Sequence, residues 1–186
     1  MTPLDAVKPR QQALEVPLLL FFLFSAAGWA WEVALGLVTA GQAVNRGFLR
    51  GPWLPVYGVG GVLLLGLLRG LRGRPWALLP ASALVGGAVE YSAALLLEGL
   101  FRRRWWDYSG WAGNLQGRVC LASMAAFALA GWLVVEWAGP ALARRLAELP
   151  PGVRRICCRG VSLLFALDWA AALLFPHTGP GITFPL

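Results

Sequence analysis

The sequence predicts an all-α fold, a polytopic membrane bundle of about five transmembrane helices, from its composition and its apolar runs. Of the 186 residues, 58% are hydrophobic and 13% are charged, and the mean hydropathy is +0.63. Soluble domains carry roughly 25% charged residues, so a soluble fold of this composition would expose a largely apolar surface. The apolar residues also gather in runs close to the ~20 residues that a helix needs to cross a bilayer.

Five apolar runs qualify as membrane spans. In chain order they cover about Pro17–Ala40, Trp53–Leu68, Trp76–Leu100, Gly117–Ala138 and Ile156–Phe175. The first run also has small residues at 25–27 that would suit a signal-peptide cleavage site, but its apolar stretch continues far beyond them. Six tryptophans at the ends of the runs indicate an aromatic belt at the membrane interfaces: Trp53, Trp76, Trp105, Trp106, Trp111 and Trp137.

The runs divide the chain into five parts. We expect a cytoplasmic N-terminal segment at residues 1–16, a four-helix core at 17–139, a basic cytoplasmic linker at 140–155, a fifth transmembrane helix at 156–176 and a short tail at 177–186. The linker carries four arginines among prolines. This composition fits either a coupling segment for a partner protein or a plain solvated connection.

The distribution of basic residues predicts the orientation of the bundle. With the N-terminus inside, ten Lys and Arg residues lie on inner segments, against five outside and Arg118 at the boundary. This excess favours an N-inside, C-outside topology, and we expect a multi-pass protein of the cell inner membrane. The outer loops still carry Arg46, Arg50 and Arg102–Arg104. Arginines that oppose the insertion rule indicate a further role.

Three acidic residues lie well inside apolar runs: Glu32, Glu90 and Asp168. Each costs about 2.5–3.5 kcal/mol to insert near the bilayer centre. In the predicted topology all three helices run outward and all three acids fall in the outer half of the membrane. Small residues surround Glu32 and Glu90 at helical spacing, so we expect both to face other helices or a cavity. Glu98 and Glu136 lie near helix ends, where we expect snorkelling or capping.

Residues 28–46 and 86–104 share six identities over nineteen aligned positions, which places Glu32 opposite Glu90. Because Gly, Ala and Leu are abundant here, the match is weak. An ancient hairpin duplication is one interpretation, and it would put the two glutamates at equivalent depths.

The first outer loop, residues 45–58, contains three glycines, three aromatic residues and two arginines, with prolines at 52 and 55. The prolines oppose a regular helix start before about Trp53. Non-helical backbone at membrane depth is tolerated where protein or water covers it. We therefore expect a partly re-entrant segment leading into the second helix, with a plain interfacial loop as the alternative.

The second outer loop, residues 102–118, combines arginines with tryptophans and a tyrosine. Arginine offers a bidentate fork for phosphate groups, and aromatic rings favour the membrane interface. The loop therefore suits lipid headgroups, and Asp107 is placed to orient one of its arginines. An ordinary aromatic anchor with turn residues is the alternative.

These features together predict a mixed acid–arginine cluster near the outer interface. Opposite charges within about 4–6 Å keep each other ionised. The cluster suits a charged solute or a lipid headgroup, whereas the alternatives are a structural salt-bridge core or acids that face lipid. The candidate ligand-binding residues are Glu32, Asn45, Arg46, Arg50, Tyr57, Glu90, Trp106, Asp107, Tyr108, Asn114 and Arg118.

Several motifs follow one another in a specific order: Gly28-Trp29, Trp31-Glu32, Asn45-Arg46-Gly47-Phe48-Leu49, Gly51-Pro52, Pro55, Tyr57-Gly58, Glu90-Tyr91, Trp105-Trp106-Asp107-Tyr108-Ser109 and Asn114-Leu115-Gln116-Gly117-Arg118. The set resembles a bacterial membrane family, the CmpB-like permeases labelled ABC-transporter type IV, over roughly residues 18–140. The resemblance implies a transport permease. It assigns no chemistry to the matching positions, which are Glu32, Asn45, Arg46, Gly47, Gly51, Pro52, Pro55, Tyr57, Glu90, Trp106, Asp107, Tyr108, Asn114, Gly117 and Arg118.

The sequence lacks the usual catalytic motifs. Lys8 is the only lysine, so no P-loop is present, and a pump would need another chain to hydrolyse ATP. His177 is the only histidine, and the three cysteines form no C-x-x-C pair. We expect no metal, no cofactor and no nucleic acid; the expected partners are membrane lipids and either a second copy of the chain or an ATPase subunit.

The function predicted from these features is a small permease or transporter subunit. An intramembrane enzyme acting on a lipid or lipid-linked phosphate is an alternative, because buried carboxylates can act as acids or bases. A non-catalytic membrane scaffold is the second alternative.

Overall fold

The computed structural model describes residues 3–41 and 43–185, without the side chains of residues 3–13 and 40. Helices account for 72% of the structure, and no strand occurs in the described residues. In order they are α1 (Pro3–Ala40), α2 (Pro55–Leu68) with a 3₁₀ turn (Arg69–Leu71), α3 (Pro75–Phe101), α4 (Leu121–Leu133), a π-helical turn (Val134–Ala138), α5 (Gly139–Glu148) and α6 (Pro151–Leu174). The all-α prediction is confirmed.

Four helical stretches are long and apolar enough to cross a membrane: Leu14–Thr39, Pro75–Phe101, Leu121–Glu148 and Pro151–Leu174. The helix over Pro55–Leu71 is apolar but shorter. Large apolar side chains cover the outside of these helices, including Leu84, Leu129 and Leu163, each more than half exposed. Such a surface is stable against lipid chains, so the protein is a multi-pass membrane helix bundle.

The second helix is short because the chain between α1 and α2 runs back beside α1 as a loop. The backbone N–H of Leu54 donates to the Ser25 carbonyl at 3.0 Å. Ser25 lies about 22 Å from the end of α1 at Ala40, at roughly 1.5 Å per residue. The chain therefore returns alongside α1 to mid-depth, and α2 begins there with Pro55 in its first turn, where no N–H is needed. This arrangement agrees with the predicted re-entrant segment.

Protein covers this re-entrant backbone. Phe48 and Leu49 are 7% and 1% exposed and form a core cluster with Trp105 and Ala172. The ring centroid of Phe48 lies 4.6 Å from that of Trp169 on α6. The re-entrant loop, the second outer loop and α6 are therefore packed together. This packing keeps the polar backbone of the re-entrant loop away from lipid.

The C-terminal segment joins the two loops at the same end of the bundle. The backbone N–H of His177 donates to the Phe48 carbonyl at 3.4 Å, and Arg104 and Phe184 exchange two backbone hydrogen bonds. Residues 43–54, 102–120 and 175–185 thus share one end of the molecule, which we call the outer end after the predicted topology.

A buried ion pair lies at the opposite, inner end. Arg154, 4% exposed, donates through Nε to the Glu15 carboxylate at 2.6 Å. Its Nη1 donates to the carbonyls of Ala147 and Leu149, each at 3.3 Å. This guanidinium fastens the turn between α5 and α6 to the start of the α1 span. The apolar span of α1 and helix α6 therefore both begin at the inner end. This is expected of the first and last spans when the number of membrane crossings is odd.

The fourth span continues ten residues beyond its predicted end at Ala138. Pro140 has no N–H for the Glu136 carbonyl, which would stop an ordinary α-helix. Here the Gly139 N–H donates to Val134, five residues back, and a π-helical turn absorbs the mismatch. The freed Glu136 carbonyl accepts from Arg72 Nη2 at 3.0 Å. The segment expected as a linker, 140–155, is therefore helical except at residues 149 and 150.

Half of the predicted aromatic belt has a different location. Trp76, Trp111 and Trp137 are 78%, 56% and 55% exposed, as side chains at a membrane interface would be. The other three pack inside the outer end: Trp105 is buried, and Trp53 and Trp106 are half-buried. Their apolar rings fill the space beneath the loops instead of contacting lipid.

Candidate functional site

Two carboxylates and two tyrosines from four separate segments converge between the helices. Tyr57 Oη donates to Glu32 Oε1 at 2.6 Å, and Tyr108 Oη donates to Glu90 Oε1 at 3.1 Å. The two carboxyl groups lie within electrostatic reach of each other, and each tyrosine lies within reach of both. We call these four residues the acid–tyrosine site.

A glycine on α1 positions the first pair. A Cβ atom at Gly28 would lie 2.2 Å from Cγ of Tyr57, so only glycine allows this ring to lie against the helix. Glu32 is one turn further along α1 and on the same face. The ring packed over Gly28 therefore places its hydroxyl at the Glu32 carboxylate.

Glu90 lies deep in the bundle with an unused hydrogen-bond acceptor. It is 7% exposed, and its Oε2 atom has no hydrogen-bond partner among the described residues. Ser123 faces this carboxylate, but its hydroxyl donates to the Cys120 carbonyl at 3.0 Å. A buried acceptor left without a partner costs about 1–3 kcal/mol, so this oxygen is the most unfavourable polar feature of the site.

The second outer loop folds inward to supply Tyr108. Glu90 lies about 16 Å below the end of α3 at Phe101, at roughly 1.5 Å per residue. The Tyr108 N–H donates to the Gly117 carbonyl at 2.7 Å, in a turn where Gly117 has a φ of +72°. Burial and the nearby Glu90 charge raise the pKa of the Tyr108 hydroxyl above its ordinary value. The hydroxyl therefore remains a proton donor at neutral pH.

The arginines of the predicted cluster bind a different acid. Arg118 donates to the Glu98 carboxylate through Nε, at 3.1 Å to Oε2, and through Nη2 at 2.5 Å. Arg104 Nε lies 3.1 Å from Glu98 Oε1. Among the described residues no guanidinium pairs with Glu32 or Glu90. The mixed acid–arginine cluster around those two glutamates was therefore wrong, because their partners are tyrosines.

Glu98 is the residue that the sequence analysis missed. It is 9% exposed, whereas its place near a helix end predicted snorkelling. The error has a physical cause: the second outer loop folds over the end of α3 and covers it with two arginines. The available signal was four arginines in the loop and an isolated acid one turn from the helix end.

The other predicted residues of the second loop hold the loop in shape. Asp107 accepts from Ser109 N and Oγ at 3.0 and 2.5 Å and from Arg104 Nη1 at 3.3 Å, as expected of an arginine-orienting acid. These bonds hold the pKa of Asp107 below its ordinary value, the Ser109 bonds most of all. Trp106 Nε1 donates to the Arg118 carbonyl at 2.9 Å, and Asn114 Nδ2 donates to the Ser109 carbonyl at 3.1 Å.

The first loop is held by Asp168 and Asn45. Asp168 accepts from the backbone N–H groups of Arg50 and Gly51 at 3.2 and 2.8 Å and from Trp53 Nε1 at 2.7 Å. Asn45 accepts from Trp29 Nε1 at 2.8 Å. The Arg50 side chain is exposed. Asp168, expected beside the other two membrane acids, is therefore an anchor for the re-entrant loop.

Arg46 is half-buried in the first loop, and its Nε atom has no hydrogen-bond partner among the described residues. An apolar groove of about 280 Å³ lies between α3 and the start of α4. Its lining residues are Leu84, Gly87, Ala88, Tyr91, Leu115, Val119 and Met124. Glu32 and Glu90 do not line this groove, so the polar cavity beside them stays a prediction.

The family model for Putative ABC-transporter type IV matches residues 19–173, from α1 almost to the end of α6. The chain belongs to this family. Comparison with curated proteins and with solved structures finds no match. The ABC-transporter type IV match extends past residue 140, where the resemblance drawn from sequence motifs ended. It includes α6 and Asp168, in agreement with the packing of α6 against the first loop.

Proposed function

We propose that the protein is a small membrane permease or transporter subunit that binds a charged group at the acid–tyrosine site. One observation carries the proposal: Glu32 and Glu90 come from different helices, lie within electrostatic reach of each other and have tyrosine instead of arginine partners among the described residues. Two acids in this setting are costly to keep. A binding role accounts for that cost.

The contrast with Glu98 supports binding over a purely structural role. Glu98 and Glu90 lie on the same helix and are both buried, yet only Glu98 has arginine partners. A scaffold whose acids only hold the bundle together would neutralise each of them in the way that Glu98 is neutralised. Glu90 keeps a free oxygen instead.

The size of the chain supports a partner. Five spans leave little room for a complete pathway through one copy, and the sequence has no P-loop lysine. A second copy or an ATPase subunit would complete the pathway in the inner membrane. The exposed side chains of Arg102 and Arg103 at the outer end suit contact with anionic headgroups there.

Flux through reconstituted vesicles tests this function. Vesicles would hold radiolabelled ethanolamine, phosphate or glutamate, and parallel vesicles would carry a fluorescent phospholipid for a flip assay. We expect Glu90→Gln to abolish the flux seen with the wild type. Glu136→Gln is the matched control, because Glu136 accepts from the Gly73 N–H at 2.7 Å away from the acid–tyrosine site.

Folded yield and melting temperature would be measured beside flux. A Glu90→Gln variant that folds normally and transports nothing supports the proposal. Equal flux for wild type and Glu90→Gln contradicts it. If Glu90→Gln folds poorly, Tyr108→Phe replaces it, and unchanged flux in that variant is equally contradictory.

A further inference from the structure

We propose that the acid–tyrosine site recognises a primary ammonium group, carried by a free amine or by an ethanolamine lipid headgroup. This inference rests on the proposed function and names its ligand class. It follows from the charge of the site, from the hydrogen bonds that already exist there, and from a buried oxygen of Glu90 that has no partner among the described residues.

The charge of the site requires a cationic ligand. Two carboxylates, one from α1 and one from α3, lie within electrostatic reach of each other. The neighbouring guanidiniums of Arg104 and Arg118 are already paired with Glu98. An anionic phosphate would meet two negative groups and no free cation in the described part of the site, and like charges repel at this range.

The hydrogen bonds of the site require a donor. Each tyrosine hydroxyl uses its single proton on one glutamate oxygen, Tyr57 on Glu32 and Tyr108 on Glu90. Oε2 of Glu90 is buried and has no partner among the described residues. An ammonium group carries three N–H donors and no acceptor. It would satisfy the free oxygen and share its charge with the second carboxylate.

The donor set suits ammonium better than a divalent metal ion. Among the described residues, His, Cys, Asp and Glu nowhere gather in a group of three or more that could hold a metal. Calcium takes 6–8 oxygen ligands, and magnesium demands an octahedral set. Two carboxylates and two phenols, whose protons point at those carboxylates, fall short of either shell.

Binding to the purified full-length chain in detergent micelles tests the inference. Radiolabelled ethanolamine would be measured by equilibrium dialysis, and thermal melting would be followed with added phosphatidylethanolamine in place of the free amine. The two arms separate a soluble amine from a lipid headgroup. Choline, which has the charge but no N–H donor, and NaCl and KCl at equal ionic strength serve as competitors.

We expect saturable ethanolamine binding, or stabilisation by phosphatidylethanolamine, that weakens at least tenfold in Glu90→Gln and in Glu32→Gln and is unchanged in Glu136→Gln. Having two carboxylate variants keeps the test decisive if one of them folds poorly. Competition by choline, sodium or potassium as strong as that by unlabelled ethanolamine overturns the inference.

A shared proton between Glu32 and Glu90 would remove the charge that attracts a cation. In that case neither amine source binds, and the inference fails. The proposed function is tested separately by the flux assay. If phosphate, glutamate or another lipid is transported in a way that depends on Glu90, the proposed function holds even when no ammonium compound binds.

Discussion

Glu90 and Glu98 lie about 12 Å apart along one helix, at roughly 1.5 Å per residue, and have opposite environments. Glu98 is neutralised by Arg104 and Arg118. Glu90 accepts from the hydroxyl of Tyr108 at 3.1 Å and has no arginine partner among the described residues. The same kind of side chain thus closes the outer end of α3 at one position and is a buried acid without an arginine partner two turns deeper.

The first prediction concerns Glu98. Glu98→Gln leaves the largely buried guanidinium of Arg118 without its counter-charge and leaves Arg104 with the exposed Asp107 alone, and we expect a loss on the order of 3 kcal/mol in the free energy of unfolding. Unfolding in mixed micelles would measure it. The control is Asp107→Asn, which removes an exposed partner of the same Arg104 and should cost less than about 1 kcal/mol. Equal losses of unfolding free energy in the two variants would contradict the role of Glu98 as the buried counter-charge of the two arginines.

The second prediction concerns pH. The folded state lowers the pKa of Asp107, so its bonds to Ser109 and Arg104 stabilise the protein above the ordinary carboxyl pKa of about 3.9. That stability is lost as pH falls through the lowered value. At pH 6 the wild type should have a higher melting temperature than Asp107→Asn, and this difference in melting temperature should be smaller at pH 3. A difference that grows on acidification would have the wrong sign.

At the residue scale, the sequence predicted that Glu32 and Glu90 face other helices, but it did not predict their partners. Glu32 and Glu90 were predictable because acids inside an apolar run are costly and small residues flank them. Their tyrosine partners were not, since Tyr108 reaches Glu90 only after the second outer loop folds inward. The same loop conformation places Arg118 beside Glu98, and the spacing of these residues along the chain does not predict that contact.

At the element scale, the re-entrant loop decides where α2 begins and therefore where Tyr57 lies. Two features fix this start: the bond from Leu54 to Ser25, and Asp168 holding the loop at three donors. The prolines of the loop predicted this arrangement, because they prevent an early helix start. The π-helical turn at 134–138 was not predictable in this way, because a proline such as Pro140 normally ends a helix. Here Arg72 donates to the Glu136 carbonyl that Pro140 leaves without a partner in the helix.

The third prediction tests the contact between α1 and α2. Gly28→Ala places a methyl group within 2.2 Å of the Tyr57 ring, and overpacking of this kind costs about 1–3 kcal/mol. Gly66→Ala is the control inside α2, because a Cβ there meets nothing within 4 Å. Alanine in a helix should leave that variant equal or up to ~1 kcal/mol more stable. Unfolding free energies that match in both variants would contradict the packing of Tyr57.

At the scale of the whole molecule, the outer loops and C-terminal segment share one end and the ion pair of Arg154 with Glu15 lies at the other. Composition alone predicted the bundle, since 58% hydrophobic residues leave few other folds. Which side faces the cytoplasm depends on the arginine distribution and is the fourth prediction.

Cysteine labelling in intact cells tests that topology. In a background with Cys120, Cys157 and Cys158 replaced, Ala112→Cys in the second outer loop should react with an impermeant maleimide. Arg74→Cys, in the turn between α2 and α3, should react only after the membrane is opened. Both native positions are exposed in the fold. The reverse labelling pattern would invert the orientation.

The central claim is that Glu32 and Glu90 form one site, and a double-mutant cycle tests it most directly. The free energies of unfolding of Glu32→Gln, Glu90→Gln and the double variant would be compared with the wild type. Residues in one network show coupling energies of about 0.5–3 kcal/mol. We predict coupling in this range, because removing either charge relieves the other carboxylate. Additivity within about 0.3 kcal/mol would mean that the two acids are independent and that no common site exists.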